Sequence, residues 1–508
     1  MATRQQTLDV FSTNHLQSDL KRRSVRGGLV TLTSQGVKFI MESTATVVLA
    51  HLLIPADYGL VAMVTAITGL GRSFSDLGLS EATIQHPEIN HDQVTNLFWV
   101  NVGIGVLLAA ITASLAPVLA TFYGQRRLEA ITLVVSLTFV ISGLNVQHNA
   151  LLQRNMRYLA MGVRDVTSYL VAVPFAIFLA LNGAGYWAIV ALPLALNGTA
   201  MLLSWIMVRW IPGLPKRGTS VRPLISFGGN VAASFLTMTL TRSTDTVLIG
   251  MYWGASPLGL YSKAMNLLFL PVRQLGAPAR SVAVPTFSRL QNAPEAMARY
   301  YLRLANAMVW MTAPIFGFLF VAATPVIVLT LGKKWHAAAP VFQILAVFAL
   351  GQLLYESVTW LLISSGQSKR LLKLVLIICP FAIASYAIGL PFGIEGVALS
   401  GTLVMLGMFP WILKFSFRGT TLTLRRLAKQ ISWPIATSLV GLVAGELVIH
   451  AANHRDFLTQ LLLTALAYAF ACTVMLIIKP VRNELGSLMK LIPSPKAMFS
   501  RPLTDSPD

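Results

Sequence analysis

Apolar runs of about 20 residues, the length that crosses the hydrocarbon core of a bilayer as a helix, follow one another along nearly the whole chain, separated by short polar breaks. Read between those breaks, the sequence predicts spans at 28–53, 58–80, 94–120, 128–150, 160–182, 185–208, 224–250, 258–288, 304–332, 338–365, 371–391, 394–416, 430–452 and 457–479. The expected fold is an all-α integral membrane protein of about fourteen transmembrane helices. The divisions near 182–185 and 391–394 rest on the thinnest breaks. Residues 1–27 are polar and end in Lys21, Arg22, Arg23 and Arg26. No small-residue cleavage site follows the first apolar run, which therefore reads as a retained helix.

The basic residues then sort by side. One side collects Arg4 and the Lys21–Arg26 cluster, Arg154, Arg157 and Arg164, the linker residues Arg209, Lys216, Arg217 and Arg222, and Arg289, Arg299 and Arg303. It also takes Lys369, Arg370 and Lys373, the group from Lys414 to Lys429, and the tail from Lys479 to Arg501. The other side holds Arg126, Arg127, Lys333, Lys334 and Arg455. Positive residues stay cytoplasmic, so both ends are expected in the cytoplasm, and an even number of spans keeps the contrast sharp to the end. Residues 81–93 (EATIQHPEINHDQ) fall on the cytoplasmic side without Lys or Arg and read as a solvated polar loop.

Sliding the sequence on itself by 200 residues superposes the first two spans on the seventh and eighth. Gly28 meets Gly228, Thr46-Val47 meets Thr246-Val247, and PADYGL (55–60) meets ASPLGL (255–260). An offset of an even number of spans preserves orientation, so the halves are parallel repeats about an axis along the membrane normal, a transporter arrangement with the substrate site between halves. The implied organisation is a cytoplasmic segment (1–27), a six-helix bundle (28–208), a basic linker (209–223), a second six-helix bundle (224–416), two appended helices within 417–479, and a cytoplasmic tail (480–508).

The remaining basic residues, Lys38, Arg72, Arg242, Lys263, Arg273 and Arg280, lie inside the first, second, seventh and eighth spans. A charge at the bilayer centre costs roughly 2.5–3.5 kcal/mol, so such residues face a cavity or a partner. Glu42, Asp76 and Asp245 stand three or four residues after Lys38, Arg72 and Arg242, on the same helix face; each pair reads either as a local salt bridge that lets the helix insert or as a switching and ion-coupling element. Arg273 and Arg280 share a face with no carboxylate on their helix, and Pro271, Pro278 and Pro285 recur at the same interval, favouring bends. Guanidinium groups donate bidentately to phosphate oxygens, which suits a pyrophosphate; snorkelling towards the cytoplasmic end is the competing reading for Arg280. Glu356 is a further intramembrane carboxylate, read as an arginine partner or a proton carrier, and Glu395 opens the twelfth span. Gly59 and Gly259 are candidate hinges with Pro271 and Pro278.

Composition narrows the function. Hydrophobic residues make up 55% of the 508 and charged residues 11%, against about 25% charged in soluble chains, so the apolar surface must meet lipid. The net charge of +20 follows from the loop asymmetry and does not point to nucleic acid. Cys379 and Cys472 sit in apolar runs, and His86 and His91 lack metal-ligand spacing. With no HExxH, GxSxG or Walker-type motif and only short non-cytoplasmic loops, no catalytic residue, metal or cofactor is expected, and the chain does not read as an enzyme.

Three stretches, IPADYGLVAMV (54–64), SFSDLGLSEATIQHPEINHDQVTNLFWVN (73–101) and LGKKWHAAAPVFQIL (331–345), resemble the polysaccharide transporter family. These are Wzx-type lipid-linked oligosaccharide flippases, the exopolysaccharide and colanic-acid-like branch of the multidrug/oligosaccharidyl-lipid/polysaccharide flippase superfamily. The resemblance implies two six-helix bundles around a central cavity lined by the first, second, seventh and eighth helices. It also implies alternating-access movement of an undecaprenyl-pyrophosphate-linked repeat unit across the inner membrane for exopolysaccharide or lipopolysaccharide biosynthesis, with cation coupling often invoked and polymerase and co-polymerase proteins as partners. Arg72, Arg242, Lys263, Arg273 and Arg280 are the expected substrate-binding residues; Lys38, Glu42, Asp76, Asp245 and Glu356 are the expected switching and coupling groups. A lipid II flippase, a drug or cation antiporter of the same superfamily, and a membrane glycosyltransferase or polymerase are the competing readings.

Overall fold

The computed structural model describes residue 11 and residues 20–72, 79–85, 89–215, 243–452 and 454–489. Among these, regular structure is helical throughout. In chain order the helices are α1 (Leu20–Leu52), α2 (Pro55–Arg72), α3 (Leu79–Gln85), α4 (His91–Ser114), α5 (Ala116–Phe122), α6 (Arg127–Arg154), α7 (Tyr158–Leu181) and α8 (Tyr186–Val208). Then come α9 (243–253), α10 (Ala255–Arg289), α11 (Pro294–Val321), α12 (Ala323–Leu331), α13 (Ala339–Ser364), α14 (Ser368–Gly389), α15 (Gly393–Ser416), α16 (Leu424–Ala451), α17 (Phe457–Val474) and α18 (Lys479–Met489). Among the described residues, nine helical stretches are long and apolar enough to cross a membrane. Most of the expected span 224–250 lies outside the described residues.

Local chemistry sets the breaks. Between α7 and α8 the chain turns at Gly183 and Gly185, with φ of 75° and 56°, and between α14 and α15 it turns at Gly393 with φ of 79°. Those left-handed conformations carry little cost in glycine, so the two thinnest breaks in the hydropathy pattern are real helix ends. The α4 N-terminus is closed by a capping box in which the Gln93 N–H donates to Asn90 Oδ1 at 2.9 Å and the Asn90 N–H to Gln93 Oε1 at 3.0 Å. The stretch expected as a solvated loop at 81–93 is therefore mostly helical, as α3 and the start of α4; its residues 86–88 lie outside the described set.

Two compact units make up the chain: the first is Met1–Lys263 with Thr330–Trp335 and Tyr386–Val397, the second Ala264–Leu329, His336–Ser385 and Ala398–Asp508. In the first, α4 packs on α6, α7 on α8, and α1 on α7. Gly105 and Gly143 let α4 and α6 approach closely: a Cβ at Gly105 would lie 2.6 Å from the Phe139 carbonyl oxygen, and one at Gly143 2.6 Å from that of Asn101. Helices in lipid gain little from hydrophobic exclusion, so small residues at such crossings carry the association. At one end of the same unit His148 stacks on Trp205 (4.4 Å, 15°), and Phe11, Phe98 and Trp210 join them in one buried ring cluster. In the second unit α16 packs against α11 and α17, and the Ser438 hydroxyl donates to the Ala313 carbonyl at 2.6 Å. Large apolar side chains such as Leu181, Leu202, Leu447 and Phe470 stand outward, which water would not tolerate over such an area and lipid does.

Two arginines sit elsewhere than the loop positions expected for them. Arg154 is buried at the end of α6, where its guanidinium donates to the carbonyls of Thr83 (3.0 Å) and Phe11 (3.4 Å). Arg164 is buried inside α7. Both count as basic in the one-dimensional pattern, yet both are engaged in packing. Gly143→Leu, which drives a branched side chain into the Asn101 carbonyl, is expected to destabilise the first unit by about 1–3 kcal/mol, read as a lower unfolding midpoint of the detergent-purified protein; Gly103→Leu on the same pair of helices, where a Cβ meets nothing within 4 Å, should leave it unchanged.

Candidate functional site

In the first unit the N-terminal turns of α2 and α10 cross with main chain against main chain. A Cβ at Gly59 would run into the Ala255 carbonyl, and one at Gly259 into the Pro55 carbonyl. The contact is reciprocal, and its register is the 200-residue offset of the repeat: Gly59 matches Gly259 as Pro55 matches Ala255. The expected hinge glycines thus sit at a contact point that only glycine permits.

Around the crossing the two diagonals differ. On one, Met63 and Leu258 are fully buried and both lie against Gly250, where a Cβ would be 3.2 Å from each. On the other, the Lys263 ammonium lies over the Tyr58 ring, 4.2 Å from its centroid, with Lys263 only 8% exposed. Among the described residues no carboxylate pairs with Lys263, and the Tyr58 hydroxyl is buried without a hydrogen-bond partner. A desolvated cation over an aromatic face gains about 2 kcal/mol, comparable to the roughly 2.5–3.5 kcal/mol that a charge in the membrane costs, so the two nearly offset. Trp335 also packs on Tyr58, edge-on with ring centroids 5.3 Å apart. Trp335 donates its indole N–H to the Ala50 carbonyl at 2.9 Å, and Lys334 Nζ donates to the His51 carbonyl at 2.7 Å. Asp245, 5% exposed, accepts from the Tyr261 hydroxyl at 2.8 Å and from the Thr246 N–H at 2.6 Å.

Further along the first unit, Lys38 Nζ bonds Asp165 Oδ2 at 2.9 Å, and the Arg164 guanidinium bonds the other oxygen of that carboxylate at 2.6 and 2.8 Å. Arg164 also donates to Asn149 Oδ1 at 2.7 Å and Ser204 Oγ at 3.3 Å, tying α7 to α6 and α8. The Lys38–Glu42 pair expected along α1 gives way to a pair across helices: Glu42 is exposed, and Lys38 turns to the α7 carboxylate, which already neutralises a buried arginine. Asp165 escapes a span-by-span reading because it adjoins Arg164, counted there as a loop base.

In the second unit α10 continues unbroken through Pro271, Pro278 and Pro285 to Arg289. Membrane helices accommodate proline where neighbouring groups re-satisfy the backbone; within this stretch the Ser281 hydroxyl bonds back to the Pro278 carbonyl at 2.7 Å. Arg273 and Arg280 are both exposed, the former donating to the Phe269 carbonyl one turn back at 3.3 Å. Gly276 lies between them in sequence, and there the Glu356 carboxylate comes in from α13, 3.3 Å from where a Cβ would stand. Arg72 ends α2, with its side chain outside the described residues; Asp76 and Arg242 lie outside them altogether. No cluster of three or more metal-ligating side chains occurs among the described residues.

A sequence profile for a family described as polysaccharide biosynthesis protein matches residues 48–340. The lipopolysaccharide biosynthesis protein WzxC of Escherichia coli (strain K12) is 26% identical over 314 residues, covering 60% of this chain and 62% of that protein. The succinoglycan biosynthesis transport protein ExoT of Rhizobium meliloti (strain 1021) is 26% identical over 316 residues, 61% of this chain and 62% of its own. The teichuronic acid biosynthesis protein TuaB of Bacillus subtilis (strain 168) is 24% identical over 295 residues, 58% and 61%. The chain therefore matches somewhat under two thirds of the length of these curated relatives. Among solved structures, the lipid II flippase MurJ in an inward closed conformation superposes with a TM-score of 0.68 at 14% identity, over 88% of this chain and 99% of its own. An inward-facing multidrug resistance MATE family transporter of the MOP superfamily gives 0.51 at 13% identity, over 77% and 96%. At such identities the two share the fold.

Gly59→Ala and Gly259→Ala are each expected to force the crossing apart, lowering the unfolding midpoint in detergent, whereas Gly69→Ala on α2, where a Cβ meets nothing within 4 Å, should not. Asp165→Asn should lower it as well, because two cations lose their shared counter-charge, while Glu42→Gln should be neutral.

Proposed function

The chain belongs to the polysaccharide biosynthesis protein family, and on that premise we propose that it translocates an undecaprenyl-pyrophosphate-linked oligosaccharide repeat unit across a bacterial inner membrane by alternating access. The unit would leave the cytoplasmic leaflet, where lipid-linked glycans are built, and arrive on the side where exopolysaccharide or lipopolysaccharide is polymerised, with polymerase and co-polymerase proteins as neighbours. No bond is made or broken on the way.

The observation that carries this reading is the arginine face of α10. Arg273 and Arg280 are seven residues apart and both exposed, on a helix that carries no carboxylate. Guanidinium groups so placed supply several donors to a diphosphate, in a setting where their charge is weakly screened. Glu356, which reaches the same stretch at Gly276, can hold the arginines when cargo is absent. By sequence, Arg72, Arg242 and Lys263 are the further basic candidates for the cargo, and Asp76, Asp245 and Glu356 are the carboxylates through which a cation would couple. About fourteen spans with both ends cytoplasmic put the loop at 121–130 outside and the linker at 209–223 inside. The relatives named for lipopolysaccharide, succinoglycan and teichuronic acid biosynthesis favour a glycan cargo over the drugs of a structural neighbour that shares only the fold.

Deletion of the gene should abolish the surface polymer and accumulate complete repeat units on the lipid carrier at the cytoplasmic face. Normal polymer with altered drug sensitivity would replace the flippase with an antiporter. Arg273→Ala and Arg280→Ala should each fail to restore polymer while the protein stays in the membrane, and full activity in both would remove α10 from cargo binding. A phosphatase reporter should be active when fused within 121–130 and inactive within 209–223.

A further inference from the structure

The two diagonals of the α2–α10 crossing are chemically unequal. On one, Met63 and Leu258 are buried and both pack against Gly250, beside the Tyr123 ring. At the equivalent positions of the other repeat stand Lys263 and Tyr58, which close the second diagonal with an ammonium over a ring. Methionine and leucine occupy the two matching positions of the first diagonal. The lysine instead brings a buried charge with no carboxylate to neutralise it among the described residues, beside a phenol hydroxyl without a hydrogen-bond partner. Two carboxylates of the same unit are otherwise engaged: Asp57 accepts from the Ile54 N–H at 3.2 Å, and Asp245 is held by Tyr261 and Thr246. Lys334 is turned to the His51 carbonyl.

We propose that Lys263 is an anion-responsive latch: over Tyr58 its ammonium holds the crossing shut, and a phosphate or carboxylate on the cargo opens the crossing by taking that ammonium off the ring. This deepens the flippase reading and rests on it. The exchange is favourable because an anion offers the ammonium both charge and hydrogen-bond acceptors, whereas the ring face offers only its quadrupole. Trp335 fixes the ring edge-on and is itself tied to the Ala50 carbonyl, so Tyr58 stays in place and the lysine is the mobile partner. Lys263 is on this account a positioning residue that makes opening depend on an anionic cargo, and the apolar diagonal supplies the re-closing contact once the anion has gone.

The test places a reporter at the apolar diagonal. In the full-length protein carrying Cys379→Ser and Cys472→Ser, Met63→Cys introduces a single thiol at a position that is fully buried while the crossing is closed. Maleimide labelling is followed in detergent with undecaprenyl pyrophosphate, an alkyl glucuronide or uncharged undecaprenol. A ligand favouring the open state about tenfold raises a small open population, and hence the labelling rate, by about that factor. The expected result is about tenfold acceleration by the pyrophosphate, the glucuronide or both, which identifies the anion read, and none by undecaprenol. Lys263→Met should abolish the acceleration, Lys263→Arg should keep it, and Tyr58→Phe, which retains the ring, should behave as the parent. Acceleration undiminished in Lys263→Met and Lys263→Gln, or equal acceleration by undecaprenol, overturns the latch and leaves the flippase standing. Absence of acceleration by either anion in the parent overturns the latch also, while the flippase is judged separately by its accumulated intermediates in cells.

Discussion

Two polypeptide backbones touch at Gly59 and Gly259, and the arrangement of the first unit around them depends on that contact. Lipid gives helices little reason to associate through apolar area alone, so close approach has to come from small residues. At this crossing nothing larger than hydrogen fits on either glycine, because the carbonyls of Ala255 and Pro55 occupy the space. The approach sets which side chains gather just beyond it: Lys263 lies over Tyr58, and Met63 and Leu258 both pack against Gly250. The 3-10 turn at Lys333–Ala338 begins against the end of α1, where Lys334 and Trp335 use the carbonyls of His51 and Ala50.

The charges within the helices divide by how they are satisfied. Lys38, Asp165 and Arg164 neutralise one another across α1 and α7, and Arg154 spends its donors on main-chain carbonyls of α3 and Phe11. These are the marks of groups that join helices, since each finds its acceptor inside the fold. Arg273 and Arg280 are exposed, and Lys263 has a ring where an anion could be. Within one chain, then, some basic side chains are internal ties while Arg273 and Arg280 stand exposed, and the distinction lies in their surroundings.

Much of the helical order could be read from hydropathy, because span length is imposed by the bilayer and leaves a long, unambiguous signal. Even the doubtful breaks at 182–185 and 391–394 carried their answer in Gly183, Gly185 and Gly393, whose positive φ ends the helices. The repeat matched Gly59 with Gly259 as equivalent positions, and the structure brings those positions together. What a one-dimensional reading could not supply was partnership between helices. Glu42 is the carboxylate four residues from Lys38, whereas Asp165, more than a hundred residues away, is the one it bonds. Tyr58 and Trp335 fell within the stretches that carry the family resemblance, but nothing in their spacing told of a ring beneath Lys263. Arg154 and Arg164 were assigned to loops because a charge near a span end looks solvated until the neighbouring helix is known.

The reciprocal crossing has one more consequence. Two separate copies of a single half, associated about a twofold axis, would make the same isologous contact and would have to place identical residues on both diagonals. Such an assembly could hold a cation over a ring twice or not at all. Joining the halves in one chain removes that restriction: Met63 and Lys263, Leu258 and Tyr58 can diverge independently while the glycines between them keep the geometry of symmetry. The fused protein thereby acquires a chemically directional element on a scaffold whose backbone has none.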